Sequence, residues 1–179
     1  MAFMNKSGLL FAALLALVLV SPAFRAEATG YDALLPLLVD LPGWEAEAAD
    51  GADASVEGMR AVTVYRTYES GDRTFEVNLL FGTQAGMTWM PDYKEGWKMQ
   101  TPEGLMEVKR IAGFLVYYMF ENESNSGGIV VLIQEATTAK PDTGAVFAVS
   151  FEGLALDEAL KTAQRFSWAK MKEQVGRLK

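Results

Sequence analysis

The chain has 179 residues, half of them hydrophobic and 11% aromatic, with a formal net charge of −7. That composition argues against disorder and against nucleic acid or anionic lipid as the main partner, since both of those need basic patches. It holds no Cys and no His, which excludes disulfides, thiolate metal sites and a Cys nucleophile, and removes the commonest general base and transition-metal ligand.

Met1 to Ala28 has the pattern of a secretory signal. Lys6 gives a short positive n-region, Leu9 to Val20 is an unbroken apolar run, and Ala26-Glu27-Ala28 is a small-x-small cleavage pattern, with Ser21-Pro22-Ala23 as competitor. The run falls well short of the ~20 residues that span a bilayer, so no stable membrane span is expected after cleavage. An exported protein of the bacterial periplasm or exterior follows, with 29–179 as a single domain. Removing 1–28 takes away Lys6, Arg25 and Glu27 and leaves 14 basic against 22 acidic residues.

Tyr31 to Leu41 places Leu34, Leu35, Leu38 and Leu41 at helical spacing, predicting a short N-terminal helix that Pro36 tolerates only near its first turn. Leu41-Pro42-Gly43-Trp44 stops it. Trp44 to Ala49 suits an edge strand with Glu45 and Glu47 exposed, and Asp50 to Glu57 (DGADASVE) reads as a solvated acidic connection without the ligand spacing of a calcium loop.

Met59 to Phe81 is the clearest local signal. Val62, Val64 and Tyr68 alternate with Ala61, Thr63, Tyr65 and Thr67; Phe75, Val77, Leu79 and Phe81 alternate with Thr74, Glu76, Asn78 and Leu80. Two strands with one buried and one wetter face are predicted. A two-residue loop, Ser70-Gly71 or Gly71-Asp72, sets Val64 against Val77 or Leu79, whereas an odd loop would set it against a polar residue. Arg66 interrupts the apolar face, and its stem is expected to lie on the sheet with the head reaching solvent.

Gly82 to Thr101 holds Met87, Trp89, Met90, Tyr93, Trp97 and Met99, broken by Pro91 and Gly96. Part helix and part loop, it either covers one edge of the sheet, with Met filling gaps, or exposes a Met and Trp surface for a partner or an apolar ligand. A third use, thioether binding of Cu(I), rests on the one Met87-x-x-Met90. Leu105 to Ile111 alternates weakly and reads as a strand. Phe114 to Phe120 is a continuous apolar run predicted to be a central strand covered on both faces, and Ile129 to Ile133 is a buried strand antiparallel to it. In Ala145 to Phe151, the residues Ala145, Phe147, Val149 and Phe151 share one face. Leu156 to Phe166 carries the stripe of an amphipathic helix, and Ser167 is placed to cap a second short helix from Trp168 to Val175.

The fold class expected is α+β: a mostly antiparallel sheet of about seven strands, with the short N-terminal helix and the C-terminal amphipathic helix packed on it. The apolar runs Phe114–Phe120 and Ile129–Ile133 suit the sheet's centre, which leaves Met59–Phe81 as a flanking hairpin with its polar face toward water.

No Gly-x-Ser-x-Gly, phosphate loop or dinucleotide fingerprint is present, and Ser167-Trp168-Ala169-Lys170 matches Ser-x-x-Lys without its companion motifs. No cofactor, metal or catalytic residue is expected. The functional expectation is a non-enzymatic binding or accessory protein acting on an envelope protein. Its alternatives are a carrier of a small apolar ligand, held between the sheet and Gly82–Thr101, and a carboxylate-dependent hydrolase, which needs two carboxylates ~5–10 Å apart in a cleft.

Overall fold

A computed structural model describes residues 30–56, 59–88, 94–136 and 143–178. The signal-like stretch therefore lies outside the described residues, as do Trp89, Met90 and Tyr93. The dominant feature is one fully antiparallel sheet, with nine strands among the described residues. They are β1 (Glu45–Ala46), β2 (Asp50–Val56), β3 (Met59–Ser70), β4 (Arg73–Gly82), β5 (Lys98–Gln100), β6 (Gly104–Ile111), β7 (Phe114–Glu121), β8 (Ser126–Gln134) and β9 (Ala145–Glu152). Three α-helices accompany it there: α1 (Thr83–Thr88), α2 (Leu156–Ala163) and α3 (Trp168–Val175). The architecture is α+β and rich in strand.

The strand order is β1-β3-β4-β9-β8-β7-β6-β5, with β2 on the same edge of β3 as β1. Strands β5 to β9 form a meander whose last member closes against β4. The sheet's centre is thus β9 and β8, and the β3–β4 hairpin flanks it. Ser70 pairs with Arg73 and Val64 with Leu79, so the loop is Gly71-Asp72. Gly71 takes φ +65°, the positive φ that a two-residue turn needs at its first central position.

One face of the sheet carries the core. Val62, Val64 and Tyr68 of β3 stand in register with Phe81, Leu79 and Phe75 of β4, which meet Ala145, Phe147 and Phe151 of β9. Ile129 and Val131 of β8 and Tyr118 and Val116 of β7 continue it. Ala159, Leu160 and Ala163 of α2 and Trp168, Met171 and Val175 of α3 cover this face. Phe166, in the turn between the two helices, sits at the hub: its ring centroid is 5.9 Å from Tyr68, 5.2 Å from Phe147 and 6.4 Å from Phe75. The Ser167 side chain caps α3 by accepting the Lys170 N–H, as its position before the helix predicted.

Five expectations need correction. The strands number nine among the described residues, the two additions being short or weakly apolar edge pieces, β2 and β5. Asp50–Glu57 is not a connection: Asp50 to Val56 pairs along β3 from Tyr65 to Met59, because pairing and register override the poor strand propensity of Asp, Gly and Ala. The N-terminal helix is instead two 3-10 turns, Tyr31–Ala33 and Leu35–Leu37, because Pro36 offers no N–H to an α-helical ladder; Leu34, Leu38 and Leu41 are nonetheless buried. Phe114–Phe120 is third from an edge, with Leu115, Tyr117 and Met119 half-exposed.

Arg66 is the fifth departure from expectation. Its head is bonded rather than solvated: Nε donates to the Glu47 carbonyl at 2.8 Å, one terminal nitrogen to the Leu38 carbonyl at 2.7 Å and the other to Asp40 Oδ1 at 2.6 Å. Between Ala46, which faces Tyr68, and Asp50, which faces Tyr65, the edge has one residue too many for simple pairing. Arg66 spans that bulge and ties the N-terminal segment to the sheet. Tyr68 adds a hydrogen bond to the Val39 carbonyl at 2.8 Å.

Candidate functional site

Side chains alternate across a strand, so the register that builds the core also fixes what lies on the sheet's other face. On β3 and β4 that face is mostly polar, as the hairpin predicted, while on β9 it carries Ser150 beside Ala148 and the buried Val146, which pairs with Leu80. Thr63 Oγ1 donates to Asn78 Oδ1 at 2.7 Å, Ser150 Oγ to Glu76 Oε2 at 3.1 Å, and the Tyr65 hydroxyl to Asp50 Oδ2 at 3.1 Å. Desolvation and the neighbouring Asp50 carboxylate raise the Tyr65 pKa. These groups satisfy one another in cross-strand pairs and present a wetted surface.

On β5 to β8 the same face turns mostly apolar, with Arg110 and Glu121 at its margins. Met99 pairs with Met106 and Met106 with Met119, so three methionines cross three strands in one row. One step along, Val108 pairs with Tyr117 and Tyr117 with Val130; a further step brings Leu115 opposite Leu132. Val108 is fully buried, while Met106, Leu115, Tyr117, Met119, Val130 and Leu132 are half-exposed and Met99 is 47% exposed. The buried core cluster contains none of the three methionines, nor Val108. This is an apolar strip on the sheet face away from α2 and α3.

The sequence-predicted residues divide. Met99 stands at the strip's outer end. Trp97 is half-exposed and continues the pairing beyond β5: its carbonyl accepts the Val108 N–H at 2.9 Å, while Gly96 N–H donates to the Val108 carbonyl at 2.8 Å. Met87 belongs to α1, which lies against β3, β4 and β9 at the end of β4, well separated in strand order from β5. Trp89, Met90 and Tyr93 lie outside the described residues. Gly82–Thr101 thus contributes Trp97 and Met99 to the strip.

Met106 and Met119 were missed, although the signal for them was present. The β6–β7 connection is Ala112-Gly113, with φ of +50° and +86°, a two-residue turn with both central residues at positive φ. Ile111 opposite Phe114 then forces Met106 opposite Met119.

A second feature lies at the far end of the hairpin. Gly43, Trp44, Glu45, Glu69, Ser70 and Gly71 line an open cavity of about 510 Å³. Glu45 and Glu69 are directly opposed in the β1–β3 register, the carboxylate pair that a hydrolase reading asks for. Both are exposed, and like charges placed opposite each other cost stability. The remaining polar groups are committed to structure: Ser70 Oγ donates to the Gly43 carbonyl, Arg73 donates to Ser70 Oγ, and the Arg73 guanidinium lies 5.1 Å from the Trp44 ring centre. A glycosidase acid needs an enclosure that keeps its proton, and this solvated edge does not supply one.

On the helix face, the Tyr118 hydroxyl donates to Glu107, and burial first, then Glu107, pushes its pKa upward. Lys109 Nζ lies 4.9 Å from the Tyr118 ring centre. The group closes the β6 end of the core. Among the described residues no set of three or more acidic side chains gathers as a metal site, and no helix is long and apolar enough to cross a membrane.

Compared with protein-family models, curated proteins and solved structures, the chain finds no match.

Proposed function

We propose that this is an exported, non-enzymatic binding or accessory protein that works through the apolar strip on the sheet face away from α2 and α3. The observation that carries the reading is the half-exposed row Met99, Met106 and Met119 beside Tyr117 and Val130. A plain solvated face repeats the polar pairs of β3 and β4; this half replaces them with flexible, polarisable and aromatic side chains, the types enriched at interface centres. The acidic balance of the chain suits a neutral or cationic partner over an anionic one.

The partner in this reading is another protein of the envelope. Export rests on the signal-like N-terminus, and a tagged full chain expressed in its own host tests it: a shortened mature form outside the cytoplasm is the expected result, and an intact cytoplasmic form contradicts it. Binding through the strip is tested by placing a photoreactive residue at position 106 or 119, with position 161 on the exposed side of α2 as control. Crosslinks to one species from 106 and 119 but not from 161 support the reading. Native mass spectrometry of the mature protein distinguishes the carrier alternative, which requires a copurifying small apolar molecule.

A further inference from the structure

We propose that Met99, Met106 and Met119 form a thioether site for a soft monovalent cation, Cu(I) or Ag(I). The inference rests on the strip being accessible, as the binding reading has it, and differs from it in naming an ion held by three defined atoms. The donors are not the Met87-x-x-Met90 pair of the sequence; Met87 lies on α1 at the end of β4, with Met90 outside the described residues.

Three observations carry it. The first is register. Met106 faces Met99 on one side and Met119 on the other. The Asn122 N–H donates to the Glu103 carbonyl at 2.8 Å, which makes Glu103 and Asn122 a hydrogen-bonded pair. Alternation then makes Met106 and Met119 a non-hydrogen-bonded pair, the closer kind, with Cα atoms ~4.5 Å apart. The outer methionines stand two strand spacings apart, ~10 Å, and each unbranched side chain can lean toward Met106 without backbone movement. One ion above Met106 then meets three sulfurs.

The second is donor chemistry. The chain has no Cys and no His, so thioethers are its soft donors, and thioethers select Cu(I) over the hard and borderline divalent ions that carboxylates and imidazoles take. The third is the surroundings. Val108 and Tyr117 flank the row on one side, an apolar border that hinders strongly hydrated cations. Glu121, on the same face two residues beyond Met119, supplies a nearby negative charge.

Ag(I) is the probe, because it is soft, monovalent and redox-inert. The mature protein, labelled at its methionine methyl groups, is titrated with Ag(I) and followed by NMR. The expected result is that the Met99, Met106 and Met119 methyls shift together and saturate at one equivalent, with the buried Met171 methyl unmoved. Met106→Leu and Met119→Leu, both conservative and checked for fold by circular dichroism, each weaken binding by at least about tenfold, the least that losing a direct ligand should cost when outer-shell partners alone cost 10–100-fold. Zn(II) and Ca(II) in excess do not displace Ag(I). Shifts at Met87 or Met90 in place of the row, or equal competition by Zn(II), overturn the site. A soluble paramagnetic agent added to the metal-free protein separates the two readings. Methyls broadened by the agent yet silent to Ag(I) sink the ion site and leave the binding face standing; methyls shielded from the agent sink both.

Discussion

Replacing Arg66 by Met should unfold the N-terminal edge out of proportion to the loss of one surface charge. The guanidinium holds two backbone carbonyls, of Leu38 and Glu47, at 2.7 and 2.8 Å, and its side chain is only 15% exposed. Hydrogen bonds from a charged donor contribute ~1.5–3 kcal/mol each; stranding the half-buried Leu38 carbonyl forfeits most of that, while water replaces part of the exposed bond to Glu47. The ion pair with Asp40 adds little, ~0–1 kcal/mol, because Asp40 is 88% exposed. The sum is ~2–4 kcal/mol for Arg66→Met, a change that keeps the apolar stem and isolates the loss of the head. Arg66→Lys keeps the charge but not the planar fork, and should fall between the parent and Arg66→Met. Asp40→Asn should change stability by less than ~1 kcal/mol. Urea unfolding of the mature protein reads all three. An Arg66→Met variant within ~1 kcal/mol of the parent, the size of a surface ion pair alone, would refute the role assigned to Arg66. So would an Asp40→Asn loss as large as that of Arg66→Met.

Other outcomes follow from particular residues. A Cβ on Gly51 would lie 2.6 Å from the Thr63 carbonyl and 2.8 Å from Val64 and Tyr31 side-chain atoms, so Gly51→Ala should loosen β2 and raise amide exchange from Asp50 to Val56; unchanged exchange would count against β2. The indole Nε1 of Trp168 is buried without a hydrogen-bond partner among the described residues, so Trp168→Phe should cost less than ~2 kcal/mol, well below the ~3–5 of an aromatic truncation to Ala; a loss as large as truncation would show that the N–H is satisfied. Burial lifts the Tyr68 pKa to about 12 from its ordinary 10. The folded state keeps its proton where the unfolded chain loses it, so this contribution is whole below pH 10 and is lost as pH rises toward 12, roughly 3 kcal/mol over that window. Tyr68→Phe should flatten the alkaline limb of stability against pH, and an unchanged limb would contradict the shift.

Most of the fold was legible wherever one periodicity dominated. An even β3–β4 loop followed from a single argument about Val64, which left Val77 and Leu79 both open as its partner, and the capping Ser167 and the stripe of Leu156, Ala159, Leu160 and Ala163 marked both C-terminal helices. What was not legible needed a partner to exist. Asp50–Val56 has no strand character of its own and becomes one only against β3, with Gly51 allowing the close approach. Arg66 has an apolar-face position and a charged head, and nothing local says that Leu38 and Glu47 carbonyls, far away in sequence, will receive it. Tyr31–Leu41 had the right leucines and the wrong helix, because spacing reports the buried face while Pro36 decides the hydrogen bonding. The methionine row was half-visible: composition singled out Met99, whereas Met106 and Met119 sat in strands read one at a time. Pairing those strands through Ala112-Gly113 would have brought the row together.

In the proposed function, the sheet face carrying Met99, Met106, Met119 and Tyr117 is a binding surface. Position-specific photocrosslinking in the native host tests it most directly, with the reactive residue at 106, 119, 65 or 161 in otherwise unaltered chains. One partner band is expected from 106 and 119, weak or absent at 65 on the polar half, and absent at 161 on α2. A partner band from 161 with none from 106 and 119 would contradict it.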